Sequence, residues 1–475
     1  MSSTGIDAMS YYVPSLYVAI EDLAAARDIP FSKLQSGLGL QQMAHPDSNE
    51  DAASFAANAL WKLIKDQQLD PREIGRIYVG TESAVDGSKP TATYATEFVE
   101  QQLKDRYGDR CFKHCDVVDL TFACIGAVDA MQNCLDWIKA GSNRKAIVIA
   151  SDLSKYELHS TGEYTQGAGA VAMLLTQDPR LIAINPTWGI GMQSVGDFFK
   201  PRRTFSKDQI ISELLDKEPT GVNALKANAS PQHSFWNDPN KQISVYREEP
   251  VFDGQYSNQC YSQRITEAME HFNQQAPTEF YQDWDYFIFH LPYAFHGRRI
   301  ILSNWLDWIK NTPIYSALIK EVGTPESDSK TWIRRVAKSS QYTAFVEEKI
   351  AITERASSRI GNMYTASILM ALLSLLAHAK EDKVPLEGKT LGFIAYGSGS
   401  KSKVFQGQVQ AGWQQGLNGL DLLEFLDSRT QITIETYEAL HMGSQSVPVQ
   451  SSKKIVLTHI EQEKETAIGL RRYGL

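Results

Sequence analysis

A cysteine among small and apolar residues is the first candidate for chemistry in this sequence. Cys124 lies in the segment FACIGA (residues 122–127), between a predicted apolar strand and a predicted helix. The N–H groups and the dipole at a helix start favour a thiolate, so we expect the pKa of this thiol to lie below its usual ~8.5. Gly126 is expected to leave room for close approach of a ligand. The segment predicts a nucleophile, although a buried structural cysteine would have the same neighbours.

A carboxylate and an imidazole follow two other predicted strands. Glu82 comes shortly after the apolar run IGRIYVG (residues 74–80), and His290 follows YFIF (residues 286–289). Side chains at the ends of buried parallel strands lie where α/β sheets place their sites. A carboxylate there can act as an acid or base, and an imidazole can donate to a carbonyl oxygen or shuttle a proton. Each residue alone is equally consistent with a structural role, as a loop acid or as a satisfied core histidine.

Two further polar segments lie in the second half of the chain. Asn362 precedes an apolar helical segment and is predicted to be its N-cap. The loop GSGS at residues 397–400 follows an apolar strand. It could be a tight turn, or it could bring backbone N–H groups near an anion or an acyl oxygen.

These residues must be positioned by alternating strands and helices. Apolar spacing predicts a parallel α/β sheet, because strand, helix and strand follow one another closely. The predicted strands are residues 74–80, 115–120, 146–150, 286–289 and 390–396, and the predicted helices are residues 51–67, 91–104, 125–139 and 363–379.

The length of 475 residues is too great for one simple core, so two domains or fused halves are expected. We divide the chain into an N-terminal half, residues 1–175, and a C-terminal half, residues 176–475. The similar order of elements in both suggests an ancient duplication. Residues 204–249 are polar and contain three prolines, so we interpret them as a partly irregular surface insertion.

Composition excludes several classes of function. The net charge of −9 argues against nucleic acid or an anionic membrane as a general partner. Five cysteines without a C-x-x-C pair predict neither a disulfide framework nor a zinc site. No signal segment is visible, and the longest apolar run, near residues 368–377, is too short to span a bilayer. A cytoplasmic protein is expected.

The order of the motifs along the chain is more specific than any one of them. TESAVD, TFACIGA, STGEYTQGAGAVAMLL, FHLPY, GNMYTAS and AYGSGSKS follow one another as in hydroxymethylglutaryl-CoA synthases of the thiolase superfamily. The sequence resembles that family over essentially its whole length. The resemblance implies a duplicated thiolase-like five-layer αβαβα fold, a homodimer, and chemistry that needs no metal or redox cofactor.

The resemblance also implies roles for individual residues. Cys124 matches the acylated nucleophile, Glu82 the general acid/base, and His290 the histidine that positions the second substrate. Asn362 and Ser398 match polar residues near the acyl group. Asp152 and Asp197 match acids that support the site. The positions that match substrate contacts are Thr165, Ser257 and Lys33.

The implied activity is that of an acyltransferase of the Claisen/aldol type in the mevalonate pathway of isoprenoid biosynthesis. It condenses acetyl-CoA with acetoacetyl-CoA and water through an acetyl-cysteine. Three alternatives stay open: a β-branching synthase acting on carrier-protein-bound acyl groups in polyketide biosynthesis, a chain-initiating ketoacyl synthase, and an inactive thiolase-fold scaffold. The ketoacyl synthase would have no acid matching Glu82, and a scaffold would not need Cys124, Glu82 and His290 together.

One departure from the family concerns the CoA phosphates. Many members carry a lysine two residues after the Pro-Tyr of the histidine motif, where this sequence has Phe295. The nearest cations are Arg298 and Arg299, and Arg202 with Arg203 forms a second candidate pair. Because arginine can bind phosphate through two hydrogen bonds, either pair could replace the lysine.

Overall fold

The computed structural model describes residues 3–207, 209–210, 213, 242–325, 329–451 and 453–475. The strands of this part of the chain are β1 (Thr4–Tyr12), β2 (Leu16–Ala19), β3 (Gln42–His45), β4 (Ile74–Gly80), β5 (Asp116–Leu120), β6 (Lys145–Ser154), β7 (Gly167–Gln177), β8 (Ile182–Ile184), β9 (Gly189–Met192), β10 (Phe198–Phe199), β11 (Arg203–Ser206), β12 (Gln242–Val245), β13 (Val251–Phe252), β14 (Tyr286–Phe289), β15 (Thr390–Gly397), β16 (Lys401–Val409), β17 (Thr430–Gln431), β18 (Val456–Ile460) and β19 (Arg471–Gly474).

Helices cover both faces of the largest sheet that these strands form. They are α1 (Ile20–Ala26), α2 (Phe31–Leu38), α3 (Ala52–Asp66), α4 (Thr91–Tyr107), α5 (Gly126–Lys139), α6 (Gly254–Gln275), α7 (Phe280–Asp283), α8 (His296–Ile300), α9 (Leu302–Ile309), α10 (Pro313–Val322), α11 (Ser329–Val336), α12 (Ser340–Lys349), α13 (Ala351–Ile360), α14 (Ser367–Glu381), α15 (Leu422–Ser428) and α16 (Ile434–His441).

One mixed sheet of ten strands runs through the described part of the chain. Its order is β14-β15-β16-β8-β1-β7-β6-β4-β5, and β9 pairs with β16 beside this path. β4 is parallel to β5 and β6, and β14 is parallel to β15. β1, β7 and β16 are antiparallel to their neighbours, so the prediction of a parallel sheet is wrong for the middle of the sheet. The short strand β8 pairs with both β1 and β16 and so joins the N-terminal and C-terminal parts of the sheet. β5 and β14 form the edges.

Alternation along β6 shows how the N-terminal part of the sheet is covered. Ile147 and Ile149 belong to the same apolar cluster as residues of α3 and α4, whereas Val148 and Ala150 belong to the cluster that contains α5. Successive side chains of a strand point to opposite faces, so this part of the sheet is buried on both. The continuous apolar run of β6 follows from that double burial.

The C-terminal part of the sheet is also covered on both faces. Tyr396 of β15 stacks on Tyr261 of α6, with ring centroids 4.2 Å apart. Its neighbour Gly397 faces the opposite way, since a Cβ there would lie 2.7 Å from Ile125 at the start of α5. α14 also packs against β14 and β15. Helices therefore lie outside and between the two parts of the sheet, which confirms the predicted thiolase-like α/β fold.

Most predicted elements of the sheet lie where the sequence placed them. β4 and β14 have the predicted bounds, and the other predicted elements differ by a few residues at their ends. The predicted helix 363–379 is divided into a 3-10 turn, Tyr364–Ala366, and α14. The central strands β1 and β7 and the helices between residues 296 and 360 were not predicted. Division of the chain at residue 175 stays a prediction.

Most of the proposed insertion at residues 204–249 lies outside the described residues. At its base β11 pairs with β12 as an antiparallel ribbon, with Arg203 opposite Val245. Among the described residues, no helix combines the length and apolarity needed to cross a membrane, and no cluster of metal-ligating side chains occurs.

Candidate active site

Cys124 lies in the turn that connects β5 to α5. Ala123 has a left-handed φ of 34°, and Gly126 begins the helix. A Cβ on Gly126 would lie 2.6 Å from the carbonyl oxygen of Leu120, so this glycine allows close packing of helix on strand. Our expectation that Gly126 makes room for a ligand is therefore wrong, whereas the predicted position of Cys124 at a helix start is confirmed.

The thiol of Cys124 donates a hydrogen bond to Glu82 Oε1 at 3.3 Å. Cys124 is 8% exposed and Glu82 is 9% exposed. Burial raises the pKa of the Cys124 thiol well above its usual value, and the negative charge of Glu82 raises it further. The expected lowering of this pKa is wrong, because a helix start acts weakly compared with desolvation and an adjacent carboxylate. The neighbouring carboxylate is instead placed to accept the thiol proton.

Glu82 has an unusual pKa for a carboxylic acid. Burial raises its pKa to about 7, while the nearby ammonium of Lys200 acts in the opposite direction. Lys200 Nζ lies 3.5 Å from Oε2 of Glu82, and the lysine side chain is only 9% exposed. A carboxyl group with a pKa near neutrality can both take and return a proton.

Asp152 fixes the backbone around Glu82. Its Oδ1 accepts from the backbone N–H of Glu82 at 2.8 Å and from the hydroxyl of Thr81 at 3.0 Å. Its Oδ2 accepts from the N–H of Thr365 at 3.0 Å and also from the hydroxyl of Thr365. The side chain is fully buried. Asp152 thus links the strand end that carries Glu82 to the segment that follows Asn362.

His290 directly follows β14 and is 1% exposed. Burial lowers its pKa to about 3, so the imidazole is neutral at physiological pH. The hydroxyl of Tyr261 donates to the carbonyl oxygen of His290 at 2.7 Å and holds the strand end in place. A neutral imidazole can donate one hydrogen bond and accept another, but it is not a source of positive charge.

A cavity of about 320 Å³ brings most of the predicted residues together. Its wall also contains aromatic side chains from several segments; they are Tyr156, Tyr164, Phe198, Phe252, Tyr261, Tyr293, Tyr364 and Tyr396. The predicted site residues that line it are Cys124, His290, Asn362, Ser398, Thr165 and Ser257. Glu82 lies behind Cys124, on a second cavity of about 530 Å³ that Lys200 and Arg202 also line.

The polar lining residues are held by local hydrogen bonds. Asn362 Oδ1 accepts from the N–H of Tyr364 at 2.8 Å and from the hydroxyl of Ser367 at 3.1 Å. The N-cap of the short 3-10 turn is Met363 and that of α14 is Ala366, so the prediction that Asn362 is a helix N-cap is wrong. Its carboxamide oxygen instead binds the first backbone N–H of the turn. The hydroxyl of Thr165 donates to the carbonyl oxygen of Gly162 at 2.7 Å.

Asp197 organises the other side of the cavity. One carboxylate oxygen accepts from the hydroxyls of Tyr396 at 2.7 Å and Ser257 at 3.2 Å. The other accepts from the N–H of Gly399 at 2.8 Å. This fully buried acid fixes the loop that carries Ser398.

Four of the five predicted basic residues lie outside this cavity, among them Arg203 on β11. Lys33 is exposed on α2. The guanidinium of Arg298 is engaged by Glu354, with Nε 3.0 Å and 3.1 Å from the two carboxylate oxygens. Arg202 lies on the second cavity, whereas Arg299 lines the first and donates to the carbonyl oxygen of Gly37.

Comparison with known proteins identifies the family. The model of the N-terminal part of hydroxymethylglutaryl-coenzyme A synthase matches residues 2–179, and that of the C-terminal part matches residues 235–456. The hydroxymethylglutaryl-CoA synthase of Haloferax volcanii is 32% identical over 456 residues, which cover 93% of this chain and 92% of that one. The chain belongs to the hydroxymethylglutaryl-CoA synthase family. The family's enzyme from Enterococcus faecalis is 29% identical and covers 92% of this chain and 91% of its own.

Solved structures of this synthase family have the same fold. MvaS in complex with 3-hydroxy-3-methylglutaryl coenzyme A is 28% identical and superposes with a TM-score of 0.76, covering 100% of this chain and 99% of its own. The HMG synthase of the curacin biosynthetic pathway, in complex with an acetyl donor-ACP, is 19% identical with a TM-score of 0.74. It covers 99% of each chain, and at this identity it shows the fold alone.

Lys200 is a charged neighbour of the site that the sequence did not predict. Lys200 lies in an irregular segment after β10, and only its pairing with Glu82 distinguishes it from a surface lysine. Its Nζ also lies 4.6 Å from the ring centre of Tyr364. In the sequence, only its position between Phe199 and Pro201 could have indicated that this lysine is buried.

Proposed function

We propose that the protein condenses acetyl-CoA with acetoacetyl-CoA and water to give 3-hydroxy-3-methylglutaryl-CoA and CoA, as a hydroxymethylglutaryl-CoA synthase of the mevalonate pathway. The observation that carries the proposal is the hydrogen bond of 3.3 Å from the Cys124 thiol to Glu82, beside a cavity that His290 also lines. A nucleophile, a base and a neutral imidazole are the groups that this condensation needs. Family membership supports the choice of substrates.

The first step transfers acetyl to Cys124. Because the pKa of the thiol is raised, the thiol attacks with simultaneous loss of its proton to Glu82 Oε1. A tetrahedral intermediate forms at the acetyl carbonyl, and the bond to the CoA sulfur breaks. Glu82 returns the proton to that sulfur, and free CoA leaves. The product is a thioester on Cys124, which keeps the acetyl group activated.

The second step makes a carbon nucleophile. Glu82, again a carboxylate, removes a proton from the acetyl methyl, and the negative charge moves to the thioester oxygen. Backbone N–H groups around Cys124 are expected to stabilise that oxygen. Lys200 keeps Glu82 ionised more readily than burial alone would allow. Asp152 holds the Glu82 backbone during both proton transfers.

Condensation and hydrolysis complete the cycle. The enolate carbon attacks the ketone of acetoacetyl-CoA, and the resulting alkoxide takes the proton that Glu82 now carries. His290 is neutral, so we assign it a hydrogen bond to the ketone oxygen and assign the proton transfer to Glu82. Water then attacks the Cys124 thioester, and its proton passes through Glu82 to the departing thiolate. No step uses a metal or redox cofactor.

A cytoplasmic homodimer is part of the proposal. The five cysteines are free, which fits a reducing compartment. β5 lies at the edge of the large sheet, where its unpaired backbone groups are available to a second copy.

A product assay with purified protein tests the proposed reaction. Acetyl-CoA and acetoacetyl-CoA are supplied in one series, and the corresponding acetyl and acetoacetyl carrier proteins in another. We expect 3-hydroxy-3-methylglutaryl-CoA from the CoA series and a lower kcat/KM with the carrier proteins. Preference for the carrier proteins would instead identify a β-branching synthase. If no acyl-enzyme forms in either series, the protein is an inactive thiolase-fold scaffold.

A further inference from the structure

A second buried imidazole lies in the wall of the cavity, six residues after His290. His296 begins α8 and is 2% exposed. It lines the cavity of about 320 Å³ together with Cys124 and His290. Neither its Nδ1 nor its Nε2 has a hydrogen-bond partner among the described residues. Nothing in the mechanism above uses this side chain.

Aromatic packing fixes the orientation of the His296 ring. The ring stacks on Tyr261, with centroids 4.8 Å apart and planes 23° apart, and Tyr261 stacks in turn on Tyr396 at 4.2 Å. Tyr293 meets the His296 ring edge-on at 4.8 Å. Three stacked rings thus form one wall of the cavity. The imidazole is held by its faces. Its two nitrogens have almost no exposed surface in this structure, so a ligand in the cavity reaches them only when a side chain that covers the ring edge moves aside.

Such an arrangement is unfavourable unless something binds the ring nitrogens. A buried polar group without a partner loses its hydrogen bonds to water and gains none in return. Burial lowers the pKa of His296 well below its usual value, and the neighbouring His290 and Arg299 lower it further. The ring is therefore neutral, with one N–H to donate and one nitrogen to accept. A phenylalanine would fit the aromatic stack without this cost.

We propose that His296 is a substrate-binding residue that donates a hydrogen bond to a carbonyl oxygen of the acyl-pantetheine chain of a CoA substrate. The inference rests on the proposed function, because it takes the CoA thioesters as the ligands of this cavity. A carbonyl oxygen is the acceptor that a neutral imidazole can bind without ion pairing. Both a pantetheine amide and the acetoacetyl thioester supply one, and the experiment separates these two sources.

The His296→Phe variant keeps the ring stack and removes both nitrogens. KM for acetoacetyl-CoA should rise roughly tenfold, the usual effect of losing one hydrogen bond to a neutral group. A parallel rise for acetyl-CoA would indicate a pantetheine amide, and a rise for acetoacetyl-CoA alone would indicate the acetoacetyl group. His296→Gln, which keeps a donor, should restore part of the affinity.

Stability separates binding from a structural role. We expect the unliganded His296→Phe protein to melt at the same temperature as the parent or higher, while the increase in Tm caused by acetoacetyl-CoA becomes smaller. His45→Phe is the matched control, since this buried histidine has a partner in the carbonyl oxygen of Pro46 at 2.8 Å and does not line the cavity. It should lower the Tm and leave KM unchanged.

Two outcomes would overturn the assignment. If His296→Phe binds both CoA substrates like the parent, the imidazole does not contact them. If it unfolds at a markedly lower temperature, the ring nitrogens have a structural partner. Failure of the proposed function gives a different result, because the parent protein would then form no acetyl-cysteine with acetyl-CoA.

Discussion

The ammonium of Lys200 lies 3.5 Å from one carboxylate oxygen of Glu82. The other oxygen of Glu82 accepts the hydrogen bond from Cys124 at 3.3 Å, so the carboxyl group stands between a cation and the thiol. Burial raises the pKa of Glu82 to about 7, and the charge of Lys200 prevents a larger rise. The lysine therefore sets the pH at which Glu82 can act as a base.

Replacing Lys200 by methionine tests this relationship. Glu82 must be ionised to accept a proton, so kcat/KM for acetyl-CoA should increase with pH around the carboxyl pKa of about 7. Lys200→Met removes the charge that lowers this pKa, so the pH at which kcat/KM rises should increase by about one unit. Lys200→Arg, the matched control, keeps the charge and should leave the pH dependence of kcat/KM near that of the parent. An unchanged pH dependence in Lys200→Met would show that the lysine does not determine the pKa of Glu82.

Cys124→Ala should abolish formation of the acetyl-enzyme while the protein remains folded. Mass spectrometry of peptides after incubation with acetyl-CoA measures the site of acetylation. Cys260→Ala is the matched control, because Cys260 is also buried but lies on α6, where its side-chain hydrogen-bond neighbour is Tyr256 and not a carboxylate. This variant should still carry acetyl on Cys124. An acetyl group on Cys134 or Cys260 in the parent would contradict the assignment.

The sequence predicted the strand ends at which Cys124, Glu82 and His290 lie, because each residue follows an apolar run. Cys124 and Glu82 follow β5 and β4, which are neighbours in the sheet, so their side chains end at the same edge. His290 follows β14, the strand at the other end of the sheet. Its approach to Cys124 depends on how the two parts of the sheet pack. The motif order of the family supplied that relationship, and periodicity alone did not.

The remaining features of the site depend on burial and on contacts between distant segments. The direction of the Cys124 pKa shift could not be predicted, because the effect of the helix start was visible in the sequence and the desolvation was not. Lys200 approaches Glu82 from a segment 118 residues later in the chain. The link from Asp152 to Thr365 spans 213 residues. Hydrogen bonds of this kind have no local sequence signal.

The edge strand β5 predicts a two-fold homodimer. It pairs with β4 on one side only, and Val118 in its middle is 36% exposed. Light scattering should give twice the chain mass of 53.2 kDa at micromolar concentration. Val118→Glu places like charges opposite each other across the two-fold axis and should favour the monomer. Val447→Glu, at an exposed valine away from this edge, is the control and should remain dimeric. A parent protein that scatters as a monomer would refute the prediction.

Two adjacent arginines have different environments and should respond differently to substitution. Arg299 lines the mouth of the cavity and is exposed, so it can reach a phosphate of bound CoA. Arg298 is occupied by Glu354, whose side chain is only 3% exposed, and its guanidinium lies 3.8 Å from the ring centre of Phe295. Phe295 itself packs against Gly39, so the position of the usual lysine is apolar here.

We therefore expect Arg299→Ala to raise KM for both CoA substrates several-fold and to make it less sensitive to salt, with kcat nearly unchanged.

Arg298→Ala should instead lower the free energy of unfolding by roughly 3 kcal/mol, because it leaves a buried carboxyl without its partner. Burial already raises the pKa of Glu354 to about 7 with Arg298 present, so loss of the arginine should raise it further and make the destabilisation larger at pH 8 than at pH 6. Steady-state kinetics at two ionic strengths and urea unfolding at two pH values measure these effects. If Arg298→Ala instead raises KM at unchanged stability, then Arg298, despite its contact with Glu354, is the residue that holds the phosphate.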